Sequence, residues 1–295
     1  MEKRLFYVLI EEKELSAMSG IQTLQLGTVY LKAKSKEKMR RFYQEIMGLR
    51  VLTDNKKEVL LGADEARGLI HISQLEAGEI SSSPRTGLYH TAFLLPSRQD
   101  LANLLVHLAQ TKYPLDGAGD HIYSEAIYFR DVEGNGIEIY ADRPQEKWQR
   151  AENGDLPMAT NEVDIDGLLA EADHAPFEQI AVGTIIGHVH LQVADIEKTE
   201  AFYQSLLGLN LTTTIPSARF FAAGTYHHHL GTNVWSGQNL SPRQDNETGL
   251  DFFTIHTPQY ETVKPLLVKN GYPIVERAAG FFTEDPNGIR IFIGK

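Results

Sequence analysis

The feature that most constrains the fold is that the chain repeats itself. The segment Phe42-Tyr43-Gln44 recurs as Phe202-Tyr203-Gln204, and both copies are followed at the same spacing by a Gly-Leu pair. Tyr113-Pro114 recurs at nearly the same offset as Tyr272-Pro273. Sequence motifs that recur at a nearly constant offset indicate that a fold is built from repeated structural units. The chain is therefore a duplication, and its two halves are expected to share one architecture.

Each half divides again into two modules with the pattern βαβββ. Apolar residues alternate from Leu24 to Ala33, which predicts a strand. From Ser35 to Met47 they follow a helical spacing, and Ser35 is suited to cap the helix. Short strands follow, and the cycle restarts at Leu88 with a helix after Ser97. The four predicted modules cover approximately residues 21–78, 87–141, 184–237 and 249–294.

The segment between modules two and three has a different composition. Residues 142–181 contain ten acidic and three basic residues together with three prolines, and one short helix is predicted near Asp166 to Ala172. The sequence therefore predicts an α+β protein. Its four parts are an N-terminal extension (1–20), a first pair of modules (21–141), an acidic linker (142–181) and a second pair of modules (182–295).

Composition narrows the functional classes. The net charge of −11 argues against nucleic acid and anionic membrane surfaces as partners, because both would repel the chain. No apolar run reaches the roughly 18 residues of a membrane span, and the start lacks a secretory signal, so a cytoplasmic location is expected. Cysteine is absent, which excludes thiolate ligands and a cysteine nucleophile. Any metal must be bound by His, Asp or Glu.

Four segments carry a family resemblance: Gly87-Leu88-Tyr89-His90, the run from Asp120 to Tyr128, the run from Gly134 to Tyr140, and Tyr226-His227-His228-His229. With the four modules, they resemble the vicinal oxygen chelate superfamily, which includes glyoxalase I and the extradiol catechol dioxygenases. The most similar members are bacterial two-domain proteins of the catechol-2,3-dioxygenase type. The resemblance covers about residues 21–295 and implies two open-barrel halves around one divalent metal.

The extradiol signature is the most specific of these features. It appears here as His121, five residues, Ile127-Tyr128, then the turn Asp131-Val132-Glu133-Gly134, and finally Glu138. Val132 stands where the family usually has proline, a change that affects the rigidity of the turn rather than a ligand. The resemblance implies that His121 and Tyr128 line the substrate pocket.

The resemblance also implies that the ligands come from the first and last strands of two paired modules. His90 and His188 occupy first-strand positions, and Glu138 occupies a last-strand position. Two histidines and one carboxylate form the facial triad of non-haem iron enzymes, so Fe(II) is the favoured metal, with Mn(II) or another divalent ion as the alternative. The corresponding positions in modules one and four hold residues unsuited to binding a metal: Thr28, Phe252 and Phe292.

The predicted ligands require module two to face module three. This departs from the ordinary two-domain dioxygenase, whose ligands lie in modules three and four. The long linker could allow the two modules to meet within one chain, or a second chain of a homo-oligomer could complete the site.

Three residues are candidates for proton transfer and substrate orientation: His121, Tyr128 and His228. A neutral histidine is suited to moving protons, and a tyrosine can donate a hydrogen bond to a substrate oxygen. Tyr128 could equally be a wall residue with its ring in the core. His228 is placed on the last strand of module three within the run His227 to His229, and a role as fourth ligand stays open. His190 shares the face of His188 and is expected in the wall of the site.

The sequence thus predicts an extradiol dioxygenase that cleaves a catechol-type aromatic diol with O₂. One alternative is a glyoxalase-type isomerase or lyase, which usually has four protein ligands, two of them Glu. The other is a non-catalytic member of the superfamily that binds a small molecule and lacks the metal triad.

Overall fold

The computed structural model describes residues 20–150, 156–157 and 159–295, which form two eight-stranded mixed sheets with short helices packed against them. The α+β class and the four βαβββ modules are confirmed. The predicted N-terminal extension lies, up to residue 19, outside the described residues. Within the described ranges, no helix is both long enough and apolar enough to cross a lipid bilayer.

Modules one and two each contain one helix between a first strand and three further strands. The elements of module one are β1 (Gln25–Ala33), α1 (Lys36–Arg41), a π-helical turn (Phe42–Ile46), β2 (Arg50–Asp54), β3 (Glu58–Gly62) and β4 (Ile70–Gln74). Those of module two are β5 (Gly87–Leu94), α2 (Arg98–Thr111), β6 (Gly117–Asp120), β7 (Ser124–Arg130) and β8 (Gly136–Asp142).

Modules three and four repeat this order after the linker, which contains a 3-10 turn (Gln145–Lys147) and α3 (Ile165–Leu169). The elements of module three are β9 (Ile185–Gln192), α4 (Ile196–Glu200), a π-helical turn (Ala201–Leu206), β10 (Asn210–Ile215), β11 (Ala218–Ala222) and β12 (Leu230–Asn233). Those of module four are β13 (Gly249–His256), α5 (Tyr260–Lys269), β14 (Val275–Arg277), β15 (Gly280–Glu284) and β16 (Arg290–Gly294).

The sheets join modules that are not consecutive pairs. One sheet, the 1–4 sheet, has the order β14-β15-β16-β13-β1-β4-β3-β2, and the other, the 2–3 sheet, has the order β10-β11-β12-β9-β5-β8-β7-β6. The sheets therefore do not follow the expected halves 21–141 and 182–295. Every module offers the free edge of its first strand, so the pattern within a module does not specify which other module will pair with it.

Strand register in the 2–3 sheet determines which side chains meet. The first strands pair antiparallel, with His90 opposite His190 and Ala92 opposite His188. On the other side β5 runs parallel to β8, where Ala92 lies beside Glu138. The ladder between β5 and β9 is irregular at two points, between Leu88 and His90 and between Ala92 and Phe93 on β5. Modules two and three therefore face each other within one chain.

The repeated Phe-Tyr pairs connect the two sheets. They lie on the π-helical turns that continue α1 and α4, and their tyrosines are fully buried. The hydroxyl of Tyr43 donates to Asp131 Oδ2 and that of Tyr203 to Asp285 Oδ2, each at 3.2 Å. Each bond joins a module of one sheet to a module of the other. The repeat that identifies the duplication is thus an inter-sheet contact.

The acidic linker packs against the modules on either side. Asn161 forms an isolated β-bridge with Asp120, and the amide of Leu156 donates to the Thr212 carbonyl. The helix predicted near Asp166 to Ala172 is α3, which begins one residue earlier and is capped by the side chain of Asp164.

The placement of His227, His228 and His229 on the last strand of module three is wrong. Strand β12 begins at Leu230, and the three histidines lie on the connection from β11. Gly224 turns the chain with a positive φ of 65°, and the next ladder bond is donated by the amide of His229 to the Phe221 carbonyl. The alternation of faces expected for a strand therefore does not apply to this run.

Candidate metal centre and its cavity

Three side chains converge on the concave side of the 2–3 sheet. His90 comes from β5, His188 from β9 and Glu138 from β8, and their potential ligand atoms all lie within 4.8 Å of one another. Glu138 Oε2 lies 3.0 Å from His90 Nε2 and 3.2 Å from His188 Nε2. The structure thus brings together the residues predicted as metal ligands, and all three belong to one chain. A second chain is not needed to complete this set, and homo-oligomerisation stays a prediction.

The chemistry of these donors fits a divalent cation. His90 Nε2 is buried and lies close to the carboxylate, yet the contact lacks the geometry of a hydrogen bond. A buried polar atom left without a hydrogen bond costs about 1–3 kcal/mol, and a cation bound between the three donors would remove that cost. Two imidazoles and one carboxylate, buried and aimed at a common point, can therefore hold a divalent metal.

Burial also prepares the protonation states that binding requires. It lowers the pKa of His188 to about 4, so the imidazole is neutral at neutral pH. Burial alone would raise the pKa of Glu138, but the adjoining His188 and His90 outweigh it and hold that pKa well below its usual value. The neutral imidazole of His188 and the ionised carboxylate of Glu138 can then both present lone pairs to a cation.

A cavity of about 540 Å³ opens above these residues. Its size lies within the range of roughly 300–1,000 Å³ that is usual for small-molecule sites. The three predicted ligands line it, and so do the three residues predicted to act on the substrate, His121, Tyr128 and His228.

His121 and Tyr128 form a directed hydrogen-bonded pair. His121 Nδ1 lies 2.8 Å from the carbonyl oxygen of Ala159, and its Nε2 lies 2.6 Å from the hydroxyl of Tyr128. A carbonyl can only accept, so in the neutral ring the proton is on Nδ1 and Nε2 accepts from the hydroxyl. Burial raises the pKa of Tyr128 well above its ordinary value, and the charge of Glu138 adds to this. Tyr128 is therefore a hydroxyl donor at the wall of the cavity.

His228 lies beside the predicted metal ligands. Its ring centroid is 4.2 Å from that of His188, and burial lowers its pKa well below the ordinary value. Among the described residues, the group able to hold a metal consists of His90, Glu138 and His188 and does not include His228. The roles of His121, Tyr128 and His228 stay predictions.

Aromatic residues that the sequence did not single out form one wall. Tyr89, Phe220 and Trp235 surround His190. The sequence had predicted that His190 lies in the wall of the site, because it is two residues from His188 on the same strand. The His190 Nε2 is buried without a hydrogen bond, and burial lowers the pKa of this ring well below its usual value. Tyr89 is the one residue here with a sequence signal, since it directly precedes a predicted ligand.

The corresponding face of the 1–4 sheet carries rings instead of ligands. Tyr30 stacks on Phe252 with 3.9 Å between centroids, and Phe282 lies 4.9 Å from Phe252 and 5.2 Å from Phe292. Among the described residues, no group able to hold a metal lies on this sheet.

Comparison with protein families gives one match, which covers both halves of the chain. The model described as the glyoxalase/bleomycin resistance protein/dioxygenase superfamily matches residues 25–139 and 185–293. These segments include all three residues of the candidate metal centre.

Two relatives with dioxygenase names share part or most of the sequence. The chain is 39% identical to the catechol-2,3-dioxygenase of Bacillus subtilis (strain 168) over 269 residues, which is 88% of this chain and 93% of that protein. It is 26% identical to biphenyl-2,3-diol 1,2-dioxygenase 3 of Rhodococcus globerulus over 122 residues, which is 41% of this chain and 64% of the relative.

Solved structures share the fold at low identity. A putative dioxygenase from Bacillus subtilis subsp. subtilis str. 168 superposes with a TM-score of 0.62 and 13% identity, covering 94% of this chain and 84% of that one. Glyoxalase I from Zea mays gives a TM-score of 0.55 and 13% identity, covering 92% of both chains. At these identities the likeness concerns the fold alone.

Proposed function

The chain belongs to the glyoxalase/bleomycin resistance protein/dioxygenase superfamily, and from that premise we propose that it is an extradiol dioxygenase that cleaves a catechol-type aromatic diol with O₂. The observation that carries the proposal is the set of three buried donors, two imidazoles and one carboxylate, on one side of the small-molecule cavity. Similarity to the catechol-2,3-dioxygenase of Bacillus subtilis over most of both chains supports the same assignment.

His90, His188 and Glu138 would hold the metal, which we propose to be Fe(II). Once bound, it would supply redox chemistry and open coordination positions for the two substrate oxygens and O₂. A three-residue ligand set suits that task better than the four ligands usual in glyoxalase I, because it leaves more positions for substrate. The dioxygenase is therefore favoured over the isomerase.

The side chains around the ligands would orient the substrate and move protons. Tyr128 would accept a substrate proton on its hydroxyl oxygen while its own proton passes to His121 Nε2. The bond from His121 Nδ1 to Ala159 keeps that ring in place during such a transfer. His228, on the other side of the ligands, would act as the second proton-transfer group.

The walls of the cavity suit an aromatic ring. Tyr89, Phe220 and Trp235 contribute aromatic surface to the lining. Such walls would exclude water from the reacting atoms and hold a planar substrate against the polar side. This combination of an apolar wall and a polar floor fits an aromatic diol.

The proposal is tested by anaerobic reconstitution with Fe(II) or Mn(II), followed by metal analysis and assay. Catechol, alkylcatechols and 2,3-dihydroxybiphenyl would be supplied, while the coloured ring-cleavage product and O₂ uptake are recorded. We expect about one metal per chain and one O₂ consumed per ring cleaved, with neither in Glu138→Ala. A protein that binds no metal would support the binding-protein alternative. Stoichiometric metal without O₂ uptake on any diol would reject the dioxygenase.

A further inference from the structure

His228 is hydrogen-bonded to a second histidine, which is bonded to an aspartate. The Nδ1 atoms of His227 and His228 lie 2.7 Å apart, and His227 Nε2 lies 3.0 Å from Asp142 Oδ1. Asp142 is the last residue of β8, the strand that carries Glu138. The sequence favoured His228 within the run His227 to His229, and it did not single out Asp142.

The direction of these hydrogen bonds follows from Asp142, whose carboxylate can only accept. Tyr226 donates its hydroxyl to Asp142 Oδ2 at 2.9 Å, and Asp142 Oδ1 accepts from His227 Nε2. A neutral His227 has one ring proton, which this contact places on Nε2, so its Nδ1 can only accept. The proton between the two Nδ1 atoms must then belong to His228.

Aromatic rings from three segments hold His227 in this orientation. Tyr123 is nearly parallel to its ring, with 4.6 Å between centroids and an interplanar angle of 19°. Tyr226 lies 4.0 Å from it, and Trp148 of the linker lies 5.3 Å from it. Only 2% of His227 is exposed, so water has little access to compete for its nitrogens.

We propose that His227 and Asp142 are positioning residues that hold His228 in the tautomer protonated on Nδ1 and so leave the Nε2 lone pair available to the cavity. Among the described residues, His228 Nδ1 has the histidine partner and its Nε2 has no hydrogen bond. The catalytic consequence rests on the proposed function, because Nε2 would be the atom that accepts a substrate proton. The tautomer itself does not depend on that function.

The tautomer can be measured directly by long-range ¹H–¹⁵N spectroscopy of ¹⁵N-histidine-labelled protein, both metal-free and loaded with Zn(II). We expect the proton of His228 on Nδ1 and that of His227 on Nε2. In Asp142→Asn the amide oxygen would keep the Tyr226 bond while the amide nitrogen donates to His227. The bond directions would then reverse and move the His228 proton to Nε2, as happens beside other catalytic histidines when an orienting Asp becomes Asn.

Variants of His227 separate positioning from packing. His227→Gln can still donate to Asp142 and accept from His228, whereas His227→Leu can do neither. We expect kcat on the best diol to fall about 10–100-fold in His227→Leu and Asp142→Asn, with KM and metal content little changed, and to stay near wild type in His227→Gln. His229→Asn is the matched control, because His229 bonds the Ala223 amide outside this chain of bonds.

Two results would overturn the inference: a wild-type His228 protonated on Nε2, or an unchanged tautomer in Asp142→Asn. Equal losses of kcat in His227→Gln and His227→Leu would reduce His227 to a packing role. If His227→Leu does not fold, the spectra of wild type and Asp142→Asn still decide. If the wild type cleaves no diol, the proposed function fails while the tautomer measurement remains valid.

Discussion

The two sheets are built from equivalent strands but carry opposite chemistry at equivalent positions. Where the 2–3 sheet has buried donors around a cavity, the 1–4 sheet has stacked rings. The equivalent positions, given with the 2–3 sheet first, are His90 and Phe252, Glu138 and Phe292, Tyr128 and Phe282, His190 and Tyr30, and His188 and Thr28. The same strand order therefore forms with either set of side chains. A few side chains on one face of the sheet decide whether it offers donors to a metal.

The polar groups of the two faces are satisfied differently. In the 1–4 sheet the Thr28 hydroxyl donates to the Gly68 carbonyl, and the neighbouring rings contact each other. In the 2–3 sheet the imidazole nitrogens His90 Nε2, His188 Nδ1 and His190 Nε2 are buried without hydrogen bonds. Such unsatisfied groups destabilise a fold, and a cation bound between His90, Glu138 and His188 would remove that cost at His90. In the 1–4 sheet the equivalent strands pack through stacked aromatic rings instead of buried imidazoles.

The largest contrast between the sheets is expected in metal content. His90→Ala, His188→Ala and Glu138→Ala should each lower bound metal about tenfold or more, because loss of even an outer partner of a ligand commonly costs 10–100-fold. Metal analysis after reconstitution and dialysis measures this. Phe292→Ala and Thr28→Ala are the matched controls in the 1–4 sheet and should keep full metal. A His188→Ala protein with full metal would break the idea that modules two and three share one site.

The next contrast concerns turnover with the metal retained. His121→Ala and, separately, His228→Ala should lower kcat by about 10²–10⁴-fold, the usual contribution of general acid–base groups. Tyr128→Phe should have a smaller effect, because it removes one hydroxyl and keeps the ring. Phe282→Leu, at the position equivalent to Tyr128, should leave kcat unchanged. Loss of metal in His228→Ala would instead make His228 a fourth ligand and favour a glyoxalase-type enzyme.

The smallest expected effect is on the pH dependence of stability, through the two Tyr–Asp hydrogen bonds between the sheets. In one the tyrosine belongs to the 1–4 sheet, and in the other it belongs to the 2–3 sheet. Burial raises the pKa of Asp131 and of Asp285 to about 6, whereas an exposed Asp titrates near 4. Between these values the folded protein holds protons that the unfolded chain has released. The stability from these groups is therefore complete below about pH 4 and is lost as the pH rises through 6.

Replacing each aspartate tests whether the two contacts are equivalent. Asp131→Asn and Asp285→Asn should each weaken the fall in the free energy of unfolding between pH 4 and pH 7, and by similar amounts. Urea titrations at several pH values measure this, with Asp116→Asn at an exposed position as the control. An effect in only one variant would show that the repeat is not equivalent in energy.

Features that depend on local pattern were predictable from the sequence. Alternation and capping residues predicted strand β1 and helix α2, and the repeat predicted that modules three and four would follow the same order. The ligand positions implied by the family resemblance anticipated that His90, Glu138 and His188 would meet. The strand and helix were predicted from patterns within a few residues. The module order and the ligand positions were predicted by comparing equivalent positions of the repeat.

Features that depend on pairing between distant segments were not predictable. The strand pattern did not predict which modules pair, because all four present similar edges. The facing of modules two and three was predicted from the positions of the candidate ligands instead. The histidine run was misplaced because a short turn at Gly224 delays the start of β12. Asp142 carried no signal, because it meets His227 only after β8 and the β11–β12 connection are brought together.

The nesting of one pair of modules inside the other also implies an order of assembly. Thr91 pairs with Val189 across the linker, whereas Val29 pairs with Phe253 across more than twice as much chain. Closing a loop costs about 0.6 kcal/mol more for each doubling of its length, so the 2–3 sheet closes at the lower entropic cost. In pulsed hydrogen-exchange refolding, amides of β5 and β9 should become protected before those of β1 and β13. The sheet that carries the candidate metal centre would then serve as the template on which the terminal modules fold.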